Sequence, residues 1–361
     1  MEFYSLEPIL KENAQYNMII GERSNGKTYA VLAYMLERYW LRKEKGAYIR
    51  RWKEDYRGKR GGQLFAGHSE YISRLTNGEW DQVSYYSGKW YLARMDKELN
   101  KIVKDEVAFC YAFAINDMEH DKSASYPDVT TIAFDEFLTR QYYLKDEFVL
   151  FSNVISTIVR YRDNVKIFMM GNTVNKYCPY FKEMGLKHVG DMKPGTIEVV
   201  KFGKKGKLRV AVERCKSTNE KSKKSNVYFA FDNPALEMIK GGAWEIEIHP
   251  HLTMEYTKRD IMFTYFIDFD DQMLQAEIVT TQGCTFTYIH RKTSPLKNPD
   301  RDLIFSLQYD PRPNWIRNIR KPTSEIAQKI SYFFKAEKVF YQDNEVGEIV
   351  RNYLIACLKE I

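Results

Sequence analysis

The stretch that decides the fold is YNMIIGERSNGKT, residues 16–28. Its first six residues are mostly apolar and predict a short buried strand. Further on, Val31 and Met35 recur at the spacing of one helix face. Between strand and helix lies GERSNGKT, residues 21–28, which fits the pattern G-x-x-x-x-G-K-[ST] in full. The order of strand, glycine-rich loop and helix predicts a site that binds the phosphates of a nucleotide.

Each residue type in this loop has a chemical reason. Gly21 and Gly26 let the backbone curl so that its N–H groups face phosphate oxygens. Lys27 supplies a positive charge to the β- and γ-phosphates, and the Thr28 hydroxyl is a ligand for Mg²⁺. Arg23 departs from the commonest loops of this kind, and it either reaches the γ-phosphate or is exposed to solvent. The expected ligands are therefore ATP and Mg²⁺.

A second motif follows in TTIAFDEF, residues 130–137. Its apolar run predicts a strand that carries Asp135 at its end, where the carboxylate can hold the Mg²⁺ ion. Glu136 comes next and can polarise a water for attack on the γ-phosphate. An apolar run ending in Asp-Glu is also typical of a solvated pair at a strand end. After a complete phosphate-binding loop, the pair favours ATP hydrolysis over phosphorylation of a small molecule.

Other polar residues are candidates for the same chemistry. Asn172 ends an apolar strand and can hold the attacking water, or it can simply form a turn after Gly171. Arg160 and Arg162 precede that strand, and either can act as an arginine finger on the γ-phosphate of a neighbouring subunit. The alternative for this pair is a surface salt bridge to Asp163.

Three further residues are weaker candidates. Lys122, just before the acidic motif, is a second cation for the same subunit contact, or it is a plain surface lysine. Phe3 and Tyr4 precede the first strand, and an aromatic ring there can stack on adenine. The alternative for both aromatic residues is an anchor in the hydrophobic core.

Length and composition limit the classes of protein. The chain has 361 residues, which predicts two domains at about 100–200 residues each. It contains no apolar run of about 20 residues, so we expect no membrane-spanning helix. The five cysteines form no close pair, which argues against a disulfide framework and fits a reducing cytosol.

Positive charge is concentrated in one segment. Residues 201–224 contain ten basic and two acidic residues, a net charge of +8 against +7 for the whole chain. We predict an ATPase domain at 1–198, a basic linker at 199–235 and a C-terminal domain at 236–361. A mobile basic hairpin is the alternative to the linker. The segment either binds a polyanion such as DNA through phosphates, or is a solvated spacer, or docks on RNA or an acidic surface. The candidate DNA-binding residues are Lys204, Lys205, Lys207 and Arg209.

The C-terminal part predicts an antiparallel meander followed by a helix. The three β runs are 259–269, 272–280 and 284–291, and the helix is 322–341. The first run ends in an acidic group made of Asp268, Asp270 and Asp271. Paired carboxylates can hold two Mg²⁺ ions for phosphodiester cleavage, whereas acidic residues are also common in hairpin turns.

Taken together, the motifs resemble a known family. The segments GERSNGKT, AYIRRWKED, DKSASYPDVTTIAFDEF, STIVRYRDN and VKIFMMGNTVNKYCPYF occur in this order. They resemble the DNA-packaging motor ATPases of phi29-type phages over residues 1–185. The meander and the final helix are similar to that family's C-terminal domain more loosely.

The resemblance implies an α/β fold with a RecA-like P-loop ATPase domain and a mainly parallel sheet. It also implies a smaller α+β domain with a vestigial RNase H-like fold. In such enzymes the arginine-finger position falls on Arg160, Lys122 is a second cation acting across subunits, and Arg23 is similar to a P-loop arginine of the larger terminases. The implied assembly is a ring of five on the portal, or connector, of an empty capsid in the host cytoplasm. A structural RNA is a further implied partner, and a membrane is not.

The expected function is an ATP-driven double-stranded DNA translocase that packages a viral genome into a procapsid. One alternative is a terminase-type packaging ATPase whose C-terminal carboxylates also cut DNA. Another is a nucleotide-binding scaffold without motor action. The intact Glu136 argues against the scaffold, because a protein that does not hydrolyse ATP needs no such base.

Overall fold

The fold comprises two units. Contacts between Cα atoms divide the chain into Met1–Trp244 and Glu245–Ile361. In a computed structural model, the residues described are 4–23, 25–57, 59–96, 98, 100–120, 124–140, 143–173, 177–216 and 249–358.

The first unit is built on a ten-stranded sheet. Its strands are β1 (Tyr16–Gly21), β2 (Lys45–Arg50), β3 (Gln82–Tyr86), β4 (Lys89–Asp96), β5 (Lys101–Lys104), β6 (Cys110–Ala114), β7 (Val129–Asp135), β8 (Lys166–Asn172), β9 (Thr196–Phe202) and β10 (Leu208–Arg214). The order across the sheet is β3-β4-β6-β2-β7-β8-β1-β10-β9, with β5 beside β4. The strands from β6 to β10 in this order are parallel, and antiparallel strands cover both edges. The mainly parallel sheet is as predicted.

Helices cover both faces of this sheet. They are α1 (Glu7–Lys11), α2 (Lys27–Arg42), α3 (Arg60–Gln63), α4 (Ser69–Leu75), α5 (Glu147–Val159) and α6 (Pro179–Glu183). Successive residues of a strand point to opposite faces, so Phe168 of β8 packs in the core with α2, while Ile167 packs in the core with α5. A strand buried on both sides must be apolar throughout, which is why these strands read as continuous apolar runs.

The strand order brings the predicted motifs to one edge. Gly21 of β1 lies beside Asn172 of β8, and Met170 of β8 lies beside Asp135 of β7. Arg50 ends β2, which is the other neighbour of β7. Because these strands are parallel, the polar residues at their carboxyl ends face the same edge of the sheet.

The prediction of a linker is wrong for the first part of that segment. Residues 199–214 belong to the hairpin of β9 and β10, and β10 pairs with β1 through Val210 and Tyr16. The alternative of a basic hairpin is therefore correct for this part, although the hairpin is fixed to the sheet. The apolar run of β10 is only three residues long, 210–212, and the lysines around the turn hide it in the composition. The rest of the predicted linker, from residue 217, lies outside the described residues.

The second unit contains a six-stranded sheet. Its elements are β11 (Ile261–Phe269), β12 (Gln272–Thr281), β13 (Cys284–Arg291), β14 (Ile304–Ser306), β15 (Trp315–Ile316), α7 (Glu325–Lys335), β16 (Val339–Tyr341) and α8 (Asn344–Ala356). The strands β11, β12 and β13 form the predicted antiparallel meander, and β14 lies parallel to β11. The smaller α+β domain is therefore confirmed.

The helix predicted at 322–341 is shorter than expected. Ser324 caps α7 by accepting a hydrogen bond from the Ala327 backbone N–H at 3.3 Å. The helix ends at Lys335, and Glu337 then adopts a positive φ of 56°. The following residues pair with β13 as β16, so apolar residues that continue the helical pattern lie in a strand. Within the described parts of the chain, no helix has the length and apolar character needed to cross a membrane.

Candidate functional site

A cavity of about 430 Å³ opens at the carboxyl edge of the first sheet. Its walls are the loop after β1, the first turn of α2 and the ends of β7 and β8. The predicted site residues that line it are Arg23, Gly26, Lys27, Thr28, Asp135, Glu136 and Asn172. The glycine loop and the acidic motif, which are more than 100 positions apart in the sequence, therefore meet in one place.

Two glycines allow the loop to take its shape. Gly26 has a φ of +93° just before α2 begins, in the left-handed region that favours glycine. A Cβ atom on Gly21 would lie 2.8 Å from the Cβ atom of Cys215, which is too close for any side chain. The loop is thus curled at one end and packed at the other against Cys215, the residue that follows β10.

Lys27 is buried, with 5% of its surface exposed, and its amine donates to neutral acceptors among the described residues. Its Nζ donates to the backbone oxygen of Glu22 at 2.7 Å, and to the Oδ1 atoms of Asn25 at 3.0 Å and Asn172 at 3.3 Å. Burial lowers the pKa of Lys27. Because the three acceptors carry no charge, the arrangement can take up the negative charge of a phosphate.

Thr28 and Asp135 offer the oxygen ligands that Mg²⁺ prefers. The Thr28 hydroxyl lies 3.3 Å from both carboxylate oxygens of Asp135. Tyr48, on β2, donates its own hydroxyl to Asp135 Oδ2 at 2.7 Å. Burial and the charge of Asp135 raise the pKa of Tyr48 well above its ordinary value, so the phenol stays a donor. A hydroxyl and a fixed carboxylate side by side fit a magnesium site.

Glu136 is held at the rim of this cavity. Its backbone has a φ of +56°, and its side chain is 59% exposed. Arg50 donates to Glu136 Oε2 at 2.7 Å and lies 3.7 Å from Asp135 Oδ2. Burial acts to lower the pKa of Arg50, but the carboxylates of Glu136, Asp135 and Asp55 contribute to a pKa that is raised above its ordinary value overall. Arg50 is therefore a permanent cation between the two acidic residues of the motif.

The next residue, Arg51, fixes the main chain at the same point. It donates to the backbone oxygens of Glu136 at 3.2 Å and Phe137 at 2.9 Å. Its guanidinium also forms two hydrogen bonds with the buried carboxylate of Glu147 at the start of α5. Tyr48, Arg50 and Arg51 were not predicted from the sequence to belong to the site. The sequence signal that could have indicated them is that β2, like β7, is an apolar strand with charged residues at its carboxyl end.

Arg160 and Arg162 have different surroundings. Arg160 is exposed at the end of α5, has a φ of +41°, and donates to the backbone oxygen of Ala124 at 2.6 Å. Arg162 is instead fixed by backbone oxygens of its own chain at 2.7–3.1 Å, and these belong to Tyr126, Pro127, Val129, Ile158 and Val159. Of the two, Arg160 is exposed to solvent, whereas Arg162 is half-buried. Lys122 lies outside the described residues.

The predicted adenine contact at Tyr4 has another environment. Its hydroxyl donates to Glu213 Oε2 at 2.6 Å, and its backbone N–H donates to the oxygen of Asn25 at 3.1 Å. Tyr4 is not among the described residues that line the cavity, whereas Tyr29 is. Phe3 lies outside the described residues.

The candidate DNA-binding residues surround the turn between β9 and β10. Lys204, Lys205 and Lys207 are exposed, whereas Arg209 is half-buried and lies 3.7 Å from Glu12. Because β10 runs parallel to β1, this turn lies at the amino edge of the sheet. The six residues of β1, about 20 Å, separate it from the cavity.

The acidic group of the second unit does not form a comparable site. Asp270 and Asp271 have φ values of +53° and +59° in the turn between β11 and β12, as the hairpin alternative expects. Asp268 lies beside Ser306 of β14 and accepts its hydroxyl at 3.1 Å. Among the residues that the structure describes, no group of three or more His, Cys, Asp or Glu side chains could hold a metal ion. The geometry does not support the nuclease alternative.

Known proteins similar to this chain are phage DNA packaging proteins. The DNA packaging protein of Bacillus phage phi29 is 27% identical over 182 residues, which are 50% of this chain and 49% of the relative. The DNA packaging protein of Bacillus phage B103 is 28% identical over 173 residues, 47% of this chain and 48% of the relative. The matched segments thus span about half the length of these relatives.

Two solved structures share the fold over almost the whole chain. A chain of the bacteriophage Phi-29 viral genome packaging motor assembly has a TM-score of 0.54 and 18% identity, covering 99% of this chain and 98% of that one. The Phi-28 gp11 DNA packaging motor has a TM-score of 0.53 and 19% identity, and the match also covers 99% of this chain and 98% of that one. The sequence profile of the Podovirus DNA encapsidation protein (Gp16) family matches residues 1–194. The chain therefore belongs to the Podovirus DNA encapsidation protein family.

Proposed function

We propose that this chain is an ATPase that drives double-stranded DNA into a viral procapsid. The observation that carries the proposal is the meeting of Lys27, Thr28 and Asp135 in one cavity, in a member of a DNA encapsidation family. A buried lysine, a hydroxyl and a carboxylate at the end of a glycine loop are the groups that a Mg²⁺–nucleotide complex needs.

The residues of the loop divide the binding between them. The N–H groups at the start of α2 and the amine of Lys27 would bind phosphate oxygens. Thr28 and Asp135 would hold Mg²⁺, which when bound neutralises phosphate charge. Arg23 lines the same cavity and can add a second positive charge to the γ-phosphate.

Hydrolysis needs a base and a water held in place. Glu136 would accept the proton of the attacking water, so its 2.7 Å contact with Arg50 must open first. Asn172 lies between the glycine loop and the acidic pair, where its amide can orient that water. Arg160 of a neighbouring subunit would neutralise the charge that develops on the γ-phosphate.

The proposed motor works as a ring, with five subunits as the expected number. Its partners would be DNA, the portal of the procapsid and a structural RNA, and it would act in the host cytoplasm at the portal vertex. Because a genome of any sequence must pass, the grip on DNA should be to phosphates rather than to bases. The lysines of the β9–β10 turn are candidates for this grip.

The test is packaging by the purified chain with procapsids of the phage that encodes it. We expect DNA to become resistant to added nuclease only with ATP and Mg²⁺ present. Lys27→Ala should abolish this protection, while Lys11→Ala, an exposed lysine on α1, should leave it intact. Protection that persists in Lys27→Ala would reject the proposed motor function.

A further inference from the structure

Tyr29 is an aromatic side chain in the wall of the nucleotide cavity. It directly follows Thr28 in the first turn of α2, and 42% of its surface is exposed. Tyr29 is not among the side chains that are proposed to bind Mg²⁺ or phosphate. Its position one residue beyond the Mg²⁺ ligand places it next to the part of a nucleotide that follows the phosphates.

A buried histidine supports one face of the Tyr29 ring. The two rings are almost parallel, with 4.0 Å between their centroids and 10° between their planes. His68 is only 2% exposed, and its Nε2 atom lies 3.0 Å from the backbone oxygen of Tyr29. Burial lowers the pKa of His68, so the imidazole is neutral and Nε2–H donates to that oxygen. Phe65, with its ring centroid 5.7 Å from that of His68, completes the support.

The direction of a bound nucleotide follows from the loop. If Lys27 and Thr28 bind the β- and γ-phosphates and Mg²⁺, the α-phosphate lies at the next N–H group of the first helical turn. That group belongs to Tyr29, so the ribose and base leave the loop alongside its side chain. An aromatic ring that is fixed on one face and exposed elsewhere is suited to stack on a base.

We propose that Tyr29 stacks on the nucleobase of the bound nucleoside triphosphate. The proposal rests on the proposed function, since it concerns the same cavity, and it adds the group that contacts the base. It also replaces Tyr4 in that role. Tyr4 is held by Glu213 and by the backbone of Asn25, and it lies outside the cavity lining.

The test compares two ligands that share phosphates and differ in the base. The dissociation constants of ATP and of inorganic tripolyphosphate, each with Mg²⁺, are measured by calorimetry for the full chain. In Tyr29→Ala, ATP binding should weaken by about 5- to 150-fold, which corresponds to removal of one base–aromatic stack. Tripolyphosphate binding should stay unchanged, and Tyr29→Phe should bind both ligands as the unmodified chain does.

A matched control is Tyr86→Ala, which removes another exposed tyrosine at the end of β3. It should change neither dissociation constant, and thermal unfolding should show that every variant is folded. Equal affinity of Tyr29→Ala and the unmodified chain for ATP would overturn the proposal. So would an equal weakening for both ligands, or a selective weakening of ATP binding in Tyr4→Ala. Failure of the unmodified chain to bind either ligand would reject the nucleotide site itself.

Discussion

Strands β7 and β11 each carry an aspartate at or next to their last residue, Asp135 and Asp268, but the adjacent strands present different groups to these two side chains. Strand β7 delivers Asp135 to the Thr28 and Tyr48 hydroxyls, beside the buried amine of Lys27 and the guanidinium of Arg50. Strand β11 carries Asp268 near its end, and there the register partner on β14 is Ser306. The two carboxylates are alike in sequence context but differ in what the adjacent strands present to them.

What a carboxylate at a strand end can bind therefore depends on the groups that the neighbouring strands present to it. In the first sheet, β2 and β8 flank β7, and β1 follows beside β8, so basic, hydroxyl and amide groups reach one edge. In the second sheet, the neighbour of Asp268 offers a hydroxyl donor and no second carboxylate at the paired position.

The largest effect is expected for the pair Asp135→Ala and Asp268→Ala. Loss of Asp135 removes the carboxylate of the proposed metal site, so ATP hydrolysis should fall to background. Asp268→Ala should hydrolyse ATP at the rate of the unmodified chain. The measurement is phosphate release under saturating ATP and Mg²⁺. Equal rates for the two variants would end the distinction between the two strand ends.

Arg160→Ala should reduce hydrolysis in the assembled ring by about 10³-fold or more, the usual contribution of an arginine finger. Isolated subunits should still bind ATP, because Arg160 is exposed at the end of α5 and is not among the described residues that line its own cavity. Mixing Arg160→Ala with Glu136→Gln should restore part of the activity, since each chain then completes a site for the other. A mixture that stays inactive although mixed rings form would show that Arg160 does not act across subunits.

The basic turn should have a smaller effect, confined to DNA binding. Changing Lys204, Lys205 and Lys207 together to Ala should make the slope of log affinity against log salt shallower, by about 0.9 for each phosphate that these lysines neutralise. The titration uses duplex DNA at several salt concentrations, with ATP hydrolysis without DNA as the control. An unchanged slope would assign the turn to a spacer role. The exposed Arg57 and Arg60, in the segment that follows β2, would then be tested next.

The smallest effect is expected for DNA cleavage by the second unit. Plasmid incubated with the full chain and Mg²⁺ or Mn²⁺ should remain intact, because Asp268 has Ser306 where a second carboxylate would be needed. Asp268→Ala should therefore look the same as the unmodified chain on a gel. Cleavage that disappears in this variant would restore the terminase-type nuclease alternative.

The sequence was sufficient for the local parts of the site. The strand Tyr16–Gly21, the glycine loop and the end of β7 at Asp135 follow from short patterns whose physical reasons lie within a few residues. The meander of β11, β12 and β13 was predictable for the same reason, since its turns are two residues long and contain Asp or Gly.

Contacts between distant segments were not predictable in this way. Tyr48 and Asp135 are 87 positions apart, and they meet only because β2 lies beside β7. The contacts of Arg50 with Glu136 and of His68 with Tyr29 also join residues that are far apart in the sequence. The β9–β10 hairpin was hidden for a different reason: its lysine-rich turn dominates the composition, and the buried apolar run of β10 is only three residues long.

The most direct test of the account is ATP binding and hydrolysis by Glu136→Gln. The substitution keeps the size of the side chain and its ability to form hydrogen bonds, but removes its ability to accept a proton. We predict that the affinity for ATP is retained, while hydrolysis falls by about 10²-fold or more. A variant that binds ATP and hydrolyses it at the normal rate would contradict the assignment of Glu136 as the base, and with it the hydrolytic role of this edge of the sheet.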